Sequence, residues 1–332
     1  MPKLYLNEYK RSLSGRTIFI ACREGILRDF FFEIISDIKF LDRQNINTVL
    51  FHNISNRFAN QKIFRDLANR LCNTEIIRIP HNINFYDFVL NSRKKFFKII
   101  FLERSFLVDK RGKKINSLTT SLVLKKISNY GDAISNVNLK DAMKLICNKI
   151  ENKCVERVHI IPAGKNKIKH ELFSIEGCGT LIANNFIELF SKPSCEEELK
   201  IIYNILKKYR REGFLKLRSL DYVKKNKINY FVVKIDDVIV ACAEMIPVDS
   251  ATAELGSLAV STKYRKQQVG IFLVNSFLEE MKKLNMELVI CLTNNPGLKN
   301  LLQSFGFRAN SPSNLKKRQK ASPKTKMFVK KI

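Results

Sequence analysis

The feature that most constrains the fold is the stretch 254–270, where a short apolar run leads through a polar loop into a long amphipathic segment. Residues 255–260 have the length and β-branched content of a buried strand, and the helical pattern starts at Gly270. A strand, a loop and a helix N-terminus in this order present free backbone N–H groups and a positive dipole end to an anion. The sequence therefore predicts an anion-binding turn within an α/β domain.

The first half of the chain alternates buried-type strands with helical segments, which favours a parallel α/β sheet. The predicted strands are residues 17–22, 47–51, 74–79, 97–103 and 155–161. The second half predicts a helix, a strand hairpin, two further strands around the long helix, and an edge strand near the C-terminus, at residues 196–211, 229–246, 253–260, 270–284, 288–293 and 326–330. Together with a length of 332 residues, this predicts two domains, 1–185 and 186–332.

The net charge of +28 has two interpretations. Clustered lysines would favour nucleic-acid binding. The excess lysine is instead spread over the whole chain, alongside abundant Asn and Ile and no Trp, which favours a compositional origin. Nucleic acid is therefore not expected as a partner, and the charge suits smaller anionic ligands through steering.

Cysteine and histidine usage argues against a metal site. None of the eight cysteines forms a Cys-x-x-Cys pair, and the four histidines are scattered. We expect reduced, mostly buried cysteines and no metal. No apolar run approaches the roughly 20 residues of a membrane span, and the N-terminus lacks a signal-peptide pattern. We expect a cytoplasmic protein with no membrane partner.

The segment Tyr264-Arg265-x-x-x-x-Gly270 resembles the pyrophosphate loop of the GNAT superfamily of acetyl-CoA-dependent N-acetyltransferases. The usual pattern, Arg/Gln-x-x-Gly-x-Gly/Ala, has lost its first glycine to Gln268, which is tolerable if residue 268 is not left-handed. The resemblance implies acetyl-CoA as co-substrate, with its pantetheine arm on Leu258, Ala259 and Val260, and its pyrophosphate on the loop. The implied loop contacts are Arg265, Lys266, Gln267, Gln268, Val269, Gly270 and Ile271.

Two further segments, 213–219 and 254–260, resemble those of bacterial two-domain N-acetylglutamate synthases, and 171–180 resembles part of their amino-acid kinase fold. The implied fold class is α/β: an N-terminal kinase-like α/β/α sandwich over 1–185, then a GNAT-type mixed α/β domain over 186–332. The kinase-like domain is short, and Cys22-Arg-Glu-Gly25 replaces a glycine-rich loop, so we expect no kinase activity.

The resemblance also implies a reaction and partners. It is acetyl transfer from acetyl-CoA to L-glutamate, the first step of arginine biosynthesis, in a homo-oligomer inhibited by L-arginine. Two alternatives stay open, a GNAT acetyltransferase acting on another amine and a non-enzymatic regulator that binds arginine or coenzyme A.

Acetyl transfer needs a base for the amine, and Glu254 is the candidate, because an acid within an apolar strand needs a reason. The alternative is a strand-end charge that reaches solvent. Arg218 is the candidate for a substrate carboxylate, since a guanidinium matches it bidentately, and the alternative is a surface arginine. Where the family has a second arginine, Lys324 or Lys326 would have to substitute.

The departing thiolate needs a proton donor, and the position where many GNAT enzymes carry a tyrosine is Leu302. Thr293, Asn294 and Asn295 are the nearest polar candidates. The alternative is that this segment caps the next helix. For regulatory arginine, the candidate contacts are Glu171, Ser174, Gly177, Gly179 and Thr180, and the alternative is a structural loop.

Overall fold

The computed structural model describes residues 6–332 except 59–60, 93–95, 110, 125–136, 175, 185–188, 217, 266, 311, 313–314 and 316–323. The chain divides into two compact units, residues 1–185 and 186–332. Each unit is built on its own seven-stranded sheet. The predicted α/β class is confirmed.

The first unit forms a mixed sheet in the order β3-β2-β1-β4-β6-β7-β5. Its strands are β1 (Thr17–Cys22), β2 (Asn47–His52), β3 (Thr74–Arg78), β4 (Lys98–Glu103), β5 (Ser117–Thr119), β6 (Arg157–Pro162) and β7 (Thr180–Ala183). The first four strands and β6 run parallel, while β7 pairs antiparallel with β6.

The sheet of the first unit carries helices between most of its strands. They are α1 (Leu6–Leu13), α2 (Glu24–Asp29), α3 (Phe31–Arg43), α4 (Gln61–Ala68), α5 (Phe85–Leu90), α6 (120–124 among the described residues), α7 (Val137–Glu151) and α8 (Lys167–Phe173). The central strand β4 is buried along its whole length, which is the pattern of a parallel strand covered on both faces. Phenylalanine and branched aliphatic side chains fill the core on both sides.

The second unit forms a sheet in the order β13-β14-β12-β11-β10-β9-β8, in which only β11 and β12 are parallel neighbours. The strands are β8 (Leu189–Ser191), β9 (Tyr230–Ile235), β10 (Val238–Pro247), β11 (Thr252–Val260), β12 (Leu288–Thr293), β13 (Arg308–Ala309) and β14 (Lys326–Lys331). Its α-helices are α9 (Glu196–Arg211), α10 (Leu220–Lys225), α11 (Val269–Lys283) and α12 (Pro296–Ser304).

Helices α9 and α11 of the second unit differ in what lies at their N-termini. Helix α9 has three acids in its first turn and basic residues in its last, which complements its dipole. Helix α11 starts directly after the loop that follows β11. No helix among the described residues of either unit is long and apolar enough to cross a membrane.

Candidate functional site

A cleft opens in the second unit where two parallel strands diverge. Strands β11 and β12 pair only from Thr252 to Glu254 on one side and Leu288 to Ile290 on the other, although β11 continues to Val260. A cavity of about 560 Å³ lies at this divergence, within the usual range for small-molecule sites. Its lining includes Tyr209, Arg218, Glu254, Ser257, Leu258, Val260, Tyr264, Arg265, Gly270, Thr293, Asn295 and Thr325.

A β-bulge interrupts the wall of the cleft on the β10 side of β11. Ser257 and Leu258 together lie opposite Ala243, because the register between the strands shifts there by one residue. Ser257 takes a positive φ of 47°, which is uncommon for a residue other than glycine. A bulge leaves one residue outside the regular ladder, so it can turn backbone groups toward the cleft.

Glu254 lines the cavity from β11 and is 7% exposed. Of the two sequence interpretations, the structure excludes a charge that reaches solvent at a strand end. Burial, reinforced by the nearby charge of Glu254, raises the pKa of the Cys291 thiol on the opposing strand. All four histidines of the sequence precede residue 171, so no imidazole of the second unit could serve as a base beside Glu254.

Arg218 also lines the cavity, from the segment just before α10. The Ser219 hydroxyl caps α10 by accepting a hydrogen bond from the Tyr222 amide at 3.0 Å, and this cap fixes the preceding residue. The Arg218 guanidinium lies 4.4 Å from the centre of the Tyr222 ring. Its Nε is 3.5 Å from Oε2 of Glu244, so this arginine is partnered by an acid as well as facing the cleft.

Glu244 is a site residue that the sequence interpretation missed. It lies on β10 and is 1% exposed. Its carboxylate accepts hydrogen bonds from the hydroxyl groups of Tyr222 at 2.6 Å and Ser257 at 2.5 Å. Burial raises the pKa of Tyr230, and the negative charge of Glu244 raises it further. The signal that pointed to Glu254, an acid inside an apolar strand, applies equally to Glu244.

The loop before α11 departs from expectation at Gln268. It is the N-cap of α11 with φ 61° and ψ −4°, so it occupies the left-handed region that the sequence interpretation required it to avoid. Gln268 therefore takes a backbone conformation that glycine adopts more readily than a residue with a side chain. Gly270 lines the cavity, whereas Ile271 is 48% exposed and Gln267 and Val269 are buried outside the lining. Lys266 lies outside the described residues.

Arg265, the predicted pyrophosphate contact, already has partners in the same unit. Its Nη2 lies 3.1 and 3.0 Å from the two carboxylate oxygens of Glu212. Its guanidinium also stacks 4.5 Å from the centre of the Tyr209 ring. An anion in the loop would have to share or displace Glu212.

The predicted pantetheine contacts on β11 do not all face the cleft. Leu258 and Val260 line the cavity, while Ala259 is fully buried outside the lining. The Tyr209 hydroxyl donates to the Val260 carbonyl and accepts from the Val260 amide, each at 3.1 Å. The backbone groups of Val260 are therefore occupied by Tyr209. The sequence did not predict this tyrosine as a site residue, because it lies in α9, far before β11 in the chain.

The polar residues at the end of β12 divide between the two interpretations. Thr293 is buried and lines the cavity, and its hydroxyl accepts from the Asn295 amide at 3.0 Å. Asn294 is exposed and donates to the Gly213 carbonyl at 3.4 Å, so the prediction that it serves the cleft is wrong. Asn295 both lines the cavity and caps α12 through the Gly297 amide.

The predicted second anchor for a carboxylate is also wrong. Lys324 and Lys326 are both exposed and neither lines the cavity. Thr325, between them, lies in the lining. Thr325 lies in the bend directly before β14, which begins at Lys326, and of these three residues it is the one that lines the cavity.

In the first unit, the predicted arginine contacts close on one another. Oε1 of Glu171 lies 2.7 Å from the His159 ring, and Oε2 accepts hydrogen bonds from the amides of Cys178 at 2.7 Å and Gly179 at 2.9 Å. Glu171 is only 2% exposed. The Gly179 amide, predicted to bind the carboxylate of an arginine ligand, instead binds Glu171, which was predicted to bind the guanidinium of that ligand. This geometry corrects the prediction in favour of a structural loop.

The other predicted members of this loop are used in the same way. The Ser174 hydroxyl donates to the His170 carbonyl at 2.6 Å and accepts from the Gly177 amide at 3.1 Å. The Thr180 hydroxyl is also fully engaged, donating to the carbonyl of Ile115 at 2.6 Å and accepting from the amide of Leu107 at 3.1 Å. These hydroxyl groups tie the loop to its own unit.

The segment after β1 shows no cradle for a phosphate among its described residues. Arg23 is paired at 3.0 Å with Glu103 at the end of β4. The amide of Glu24, at the start of the short helix α2, donates to the Asn53 side chain at 2.7 Å. Across the described parts of both units, no group of three or more Asp, Glu, His or Cys side chains is placed to hold a metal ion.

Comparison with known proteins agrees with this geometry. Residues 199–307 match the model of the acetyltransferase (GNAT) family. An amino-acid acetyltransferase from Pseudomonas syringae pv. syringae is 27% identical over 197 residues, which cover 59% of this chain and 44% of that protein. An amino-acid acetyltransferase from Buchnera aphidicola subsp. Schizaphis graminum is 26% identical over 200 residues, with 58% and 44% covered. The chain thus spans less than half the length of these curated relatives.

One solved structure resembles the chain along nearly its whole length. It is N-acetylglutamate synthase from Neisseria gonorrhoeae complexed with coenzyme A and L-arginine, with a TM-score of 0.50 and 15% identity. The alignment covers 99% of this chain and 98% of that one. At this identity the likeness speaks for the fold.

Proposed function

We propose that this chain, whose residues 199–307 match the GNAT acetyltransferases, is an N-acetylglutamate synthase. It would convert acetyl-CoA and L-glutamate into N-acetyl-L-glutamate and CoA, the first step of arginine biosynthesis. The observation that carries the proposal is the cleft between β11 and β12, which places a buried carboxylate, Glu254, and a guanidinium, Arg218, in one cavity beside the N-terminus of α11. The curated relatives named amino-acid acetyltransferase support the class of acceptor.

The residues of the cleft fit an acyl-CoA. The N-terminus of α11 and the loop before it offer backbone N–H groups to a pyrophosphate, with Gly270 at the cavity wall. The part of β11 that does not pair with β12 would offer the backbone groups of Leu258 to the amides of a pantetheine arm, and Tyr209 would have to release those of Val260. Cavity volume and lining agree with a bound chain of this kind, which makes acetyl-CoA the co-substrate.

Transfer would proceed by direct attack within a ternary complex. The Glu254 carboxylate takes a proton from the ammonium group of the acceptor, directly or through a water, so that the amine is nucleophilic. The nitrogen then bonds to the carbonyl carbon of the thioester and gives up its second proton as the carbon–sulfur bond breaks and the thiolate departs. This second proton replaces the one that is given to sulfur. Backbone N–H groups at the bulge of Ser257 and Leu258 would stabilise the oxyanion, because the bulge takes them out of the regular ladder.

The leaving thiolate has a neighbouring hydroxyl on the opposite wall. Thr293 is buried there, and its hydroxyl proton is available because its oxygen is the acceptor in the contact with the Asn295 amide. We propose that Thr293, or a water held by it, returns a proton to sulfur. Arg218 binds a carboxylate of L-glutamate.

Regulation and assembly form a further part of the proposal. The solved relative named above was crystallised with L-arginine, which supports arginine as a ligand of this chain, and the family resemblance implies that it acts as an inhibitor. The groups of the 171–180 loop are engaged with their own unit, so arginine would have to bind elsewhere. The same family resemblance extends the proposal to a homo-oligomer.

A second candidate, acetylation of another amine, is favoured by one specific contact. Glu244 lies 3.5 Å from the Arg218 Nε and offsets its charge, and Lys324 and Lys326 are exposed and do not line the cavity. The cleft is therefore less positive than one built for a dicarboxylic amino acid would be. An acceptor with a single carboxylate would suit this charge balance.

Thiol release from acetyl-CoA tests the proposal with the purified full chain. The acceptors are the common amino acids, presented singly, with and without L-arginine. Release with L-glutamate well above that with the other amino acids supports the proposed reaction. Release with a different amino acid supports the second candidate, and no release with any acceptor refutes both.

A further inference from the structure

A buried carboxylate, Glu244, connects two walls of the cleft. We propose that Glu244 is a positioning residue for acyl transfer, which holds both the Arg218 guanidinium and the strained bulge at Ser257 in their working places. Both of these residues line the cavity, whereas Glu244 lies behind them. The inference rests on the proposed function, because it assigns Glu244 a task in the same cleft.

The contacts of Glu244 use both of its oxygens. Oε1 accepts the Tyr222 hydroxyl at 2.6 Å. Oε2 accepts the Ser257 hydroxyl at 2.5 Å and lies 3.5 Å from Nε of Arg218. A carboxylate that is 1% exposed is costly to bury unless it is hydrogen-bonded and paired with a cation, and here three groups from β11, α10 and the preceding segment meet that need.

The effect on Arg218 is orientation. Nε lies 3.5 Å from Oε2 of Glu244, and the central carbon of the guanidinium lies 4.4 Å from the centre of the Tyr222 ring. These two contacts restrict where the group can lie. Its two terminal nitrogens remain to meet a carboxylate end-on from the cavity, which is the bidentate geometry that an arginine provides and a lysine does not.

The effect on Ser257 is to stabilise a backbone shape. A φ of 47° is unfavourable for serine, and it persists only where the surroundings hold it. The hydrogen bond from the Ser257 hydroxyl to Glu244 is charge-assisted, which makes it stronger than a bond between neutral groups. Glu244 therefore couples the acceptor's anchor to the strand that stabilises the oxyanion.

The variant Glu244→Gln tests this with an isosteric, uncharged side chain. Glu198→Gln is the matched control, because Glu198 is a buried carboxylate of the same unit, paired with Lys234 at 2.5 Å, and does not line the cavity. The loss of a hydrogen bond to a charged group changes an equilibrium constant by about tenfold or more. In the thiol-release assay we expect Glu244→Gln to raise KM for the amino acid about tenfold and to lower kcat, with KM for acetyl-CoA within about twofold of wild type.

Ser257→Ala separates the two effects. We expect it to lower kcat while leaving KM for the amino acid within about twofold, because Arg218 keeps its partner. Its effect on kcat should not add to that of Glu244→Gln, because both variants disrupt the same hydrogen bond, the one between Ser257 and Glu244. A Glu244→Gln protein with wild-type kcat and KM overturns the inference, even if it unfolds more easily.

A second readout does not depend on turnover. Amide hydrogen exchange in the peptide 255–260 should be about tenfold faster in Glu244→Gln than in wild type and unchanged in Glu198→Gln. If wild type acetylates no amino acid, the proposed function fails, and the role of Glu244 at Ser257 is then decided by exchange alone. Unchanged exchange in Glu244→Gln overturns it.

Discussion

Each unit contains a loop that resembles a family segment and a buried glutamate near it, but the described parts of the two loops use these groups differently. In the first unit, Glu171 binds the amides of its own loop and the ring of His159. In the second unit, Glu254 lies on a strand whose neighbour diverges, and it faces a cavity of about 560 Å³. Residue types alone do not separate a closed polar loop from an open site. The difference is that Glu254 lines a cavity, whereas Glu171 binds the amides of its own loop.

The glycines of the two loops show the same contrast. In the first unit, Gly179 packs so closely that a Cβ would lie 2.3 Å from a methyl group of Ile161 and 2.4 Å from the Ile160 carbonyl oxygen. In the second unit, Gln268 holds the left-handed position where the GNAT pattern has a glycine. The closed loop requires its glycine through close packing, while the open one tolerates a side chain at a backbone cost.

The largest effect on stability is expected from Gly179→Ala. The added methyl meets backbone atoms, which cannot move aside, so we expect a loss of about 3 kcal/mol in the free energy of unfolding of the first unit. Peptide-resolved hydrogen exchange over β6 and β7 measures it. Unchanged protection there would show that the loop is looser than its contacts indicate, and the contrast between the loops would disappear.

Acid should weaken the first unit through His52. Burial lowers the pKa of His52 to about 4, so the folded chain stays unprotonated there while the unfolded chain takes up a proton near pH 6.5. The stability that depends on neutral His52 is present above pH 6.5 and is lost as the pH falls toward 4. Between pH 7 and pH 5 the loss is roughly 2 kcal/mol.

Hydrogen exchange at β2, measured at both pH values in wild type and His52→Asn, checks this effect. The variant should lack that part of the pH dependence. An identical pH dependence in both proteins would assign the acid sensitivity to other groups. The second unit has no histidine, so its strands should show no corresponding change over this range.

A smaller gain is expected from Gln268→Gly in the second unit. Glycine removes the cost, about 1 kcal/mol, of holding a residue with a side chain in the left-handed region. Part of this gain is offset, because glycine also makes the unfolded chain more flexible. Thermal unfolding should shift slightly upward, with CoA affinity within about twofold because the backbone shape is kept. A lower melting temperature would mean that the Gln268 side chain makes contacts worth more than the strain.

The smallest effect is expected from Glu212→Gln. This carboxylate holds Arg265 and is partly exposed, so its influence is screened. Removing its charge frees Arg265 for a pyrophosphate, and we expect CoA to bind about threefold more tightly by calorimetric titration. Weaker binding would indicate that Glu212 orients Arg265 productively, which would make the two loops more alike than proposed.

Much of the fold was predictable because the strands are short, apolar and separated by helical patterns. The α/β class and the GNAT resemblance are confirmed. Glu254 and Arg218 were placed as cavity residues by their sequence context. Glu244 and Tyr209 were missed because their roles depend on which elements pack together, and no local pattern records that.

The remaining errors follow from geometry that sequence spacing does not carry. Lys324 and Lys326 stand at the family position, but Thr325, in the bend before β14, is the residue that lines the cavity. Glu171 and its loop match a family segment, but their hydrogen bonds are internal. Gln268 shows that a residue with a side chain can hold a left-handed backbone conformation at a position where the family pattern has a glycine.

The most direct test of where the chemistry lies is the kcat for L-glutamate of Glu254→Gln, measured with its affinity for CoA. A general base contributes about 10²- to 10⁴-fold, so we expect kcat to fall by that factor while CoA binds as in wild type, which also shows that the second unit is folded. Wild-type kcat in Glu254→Gln, with CoA binding intact, would contradict acyl transfer through this carboxylate.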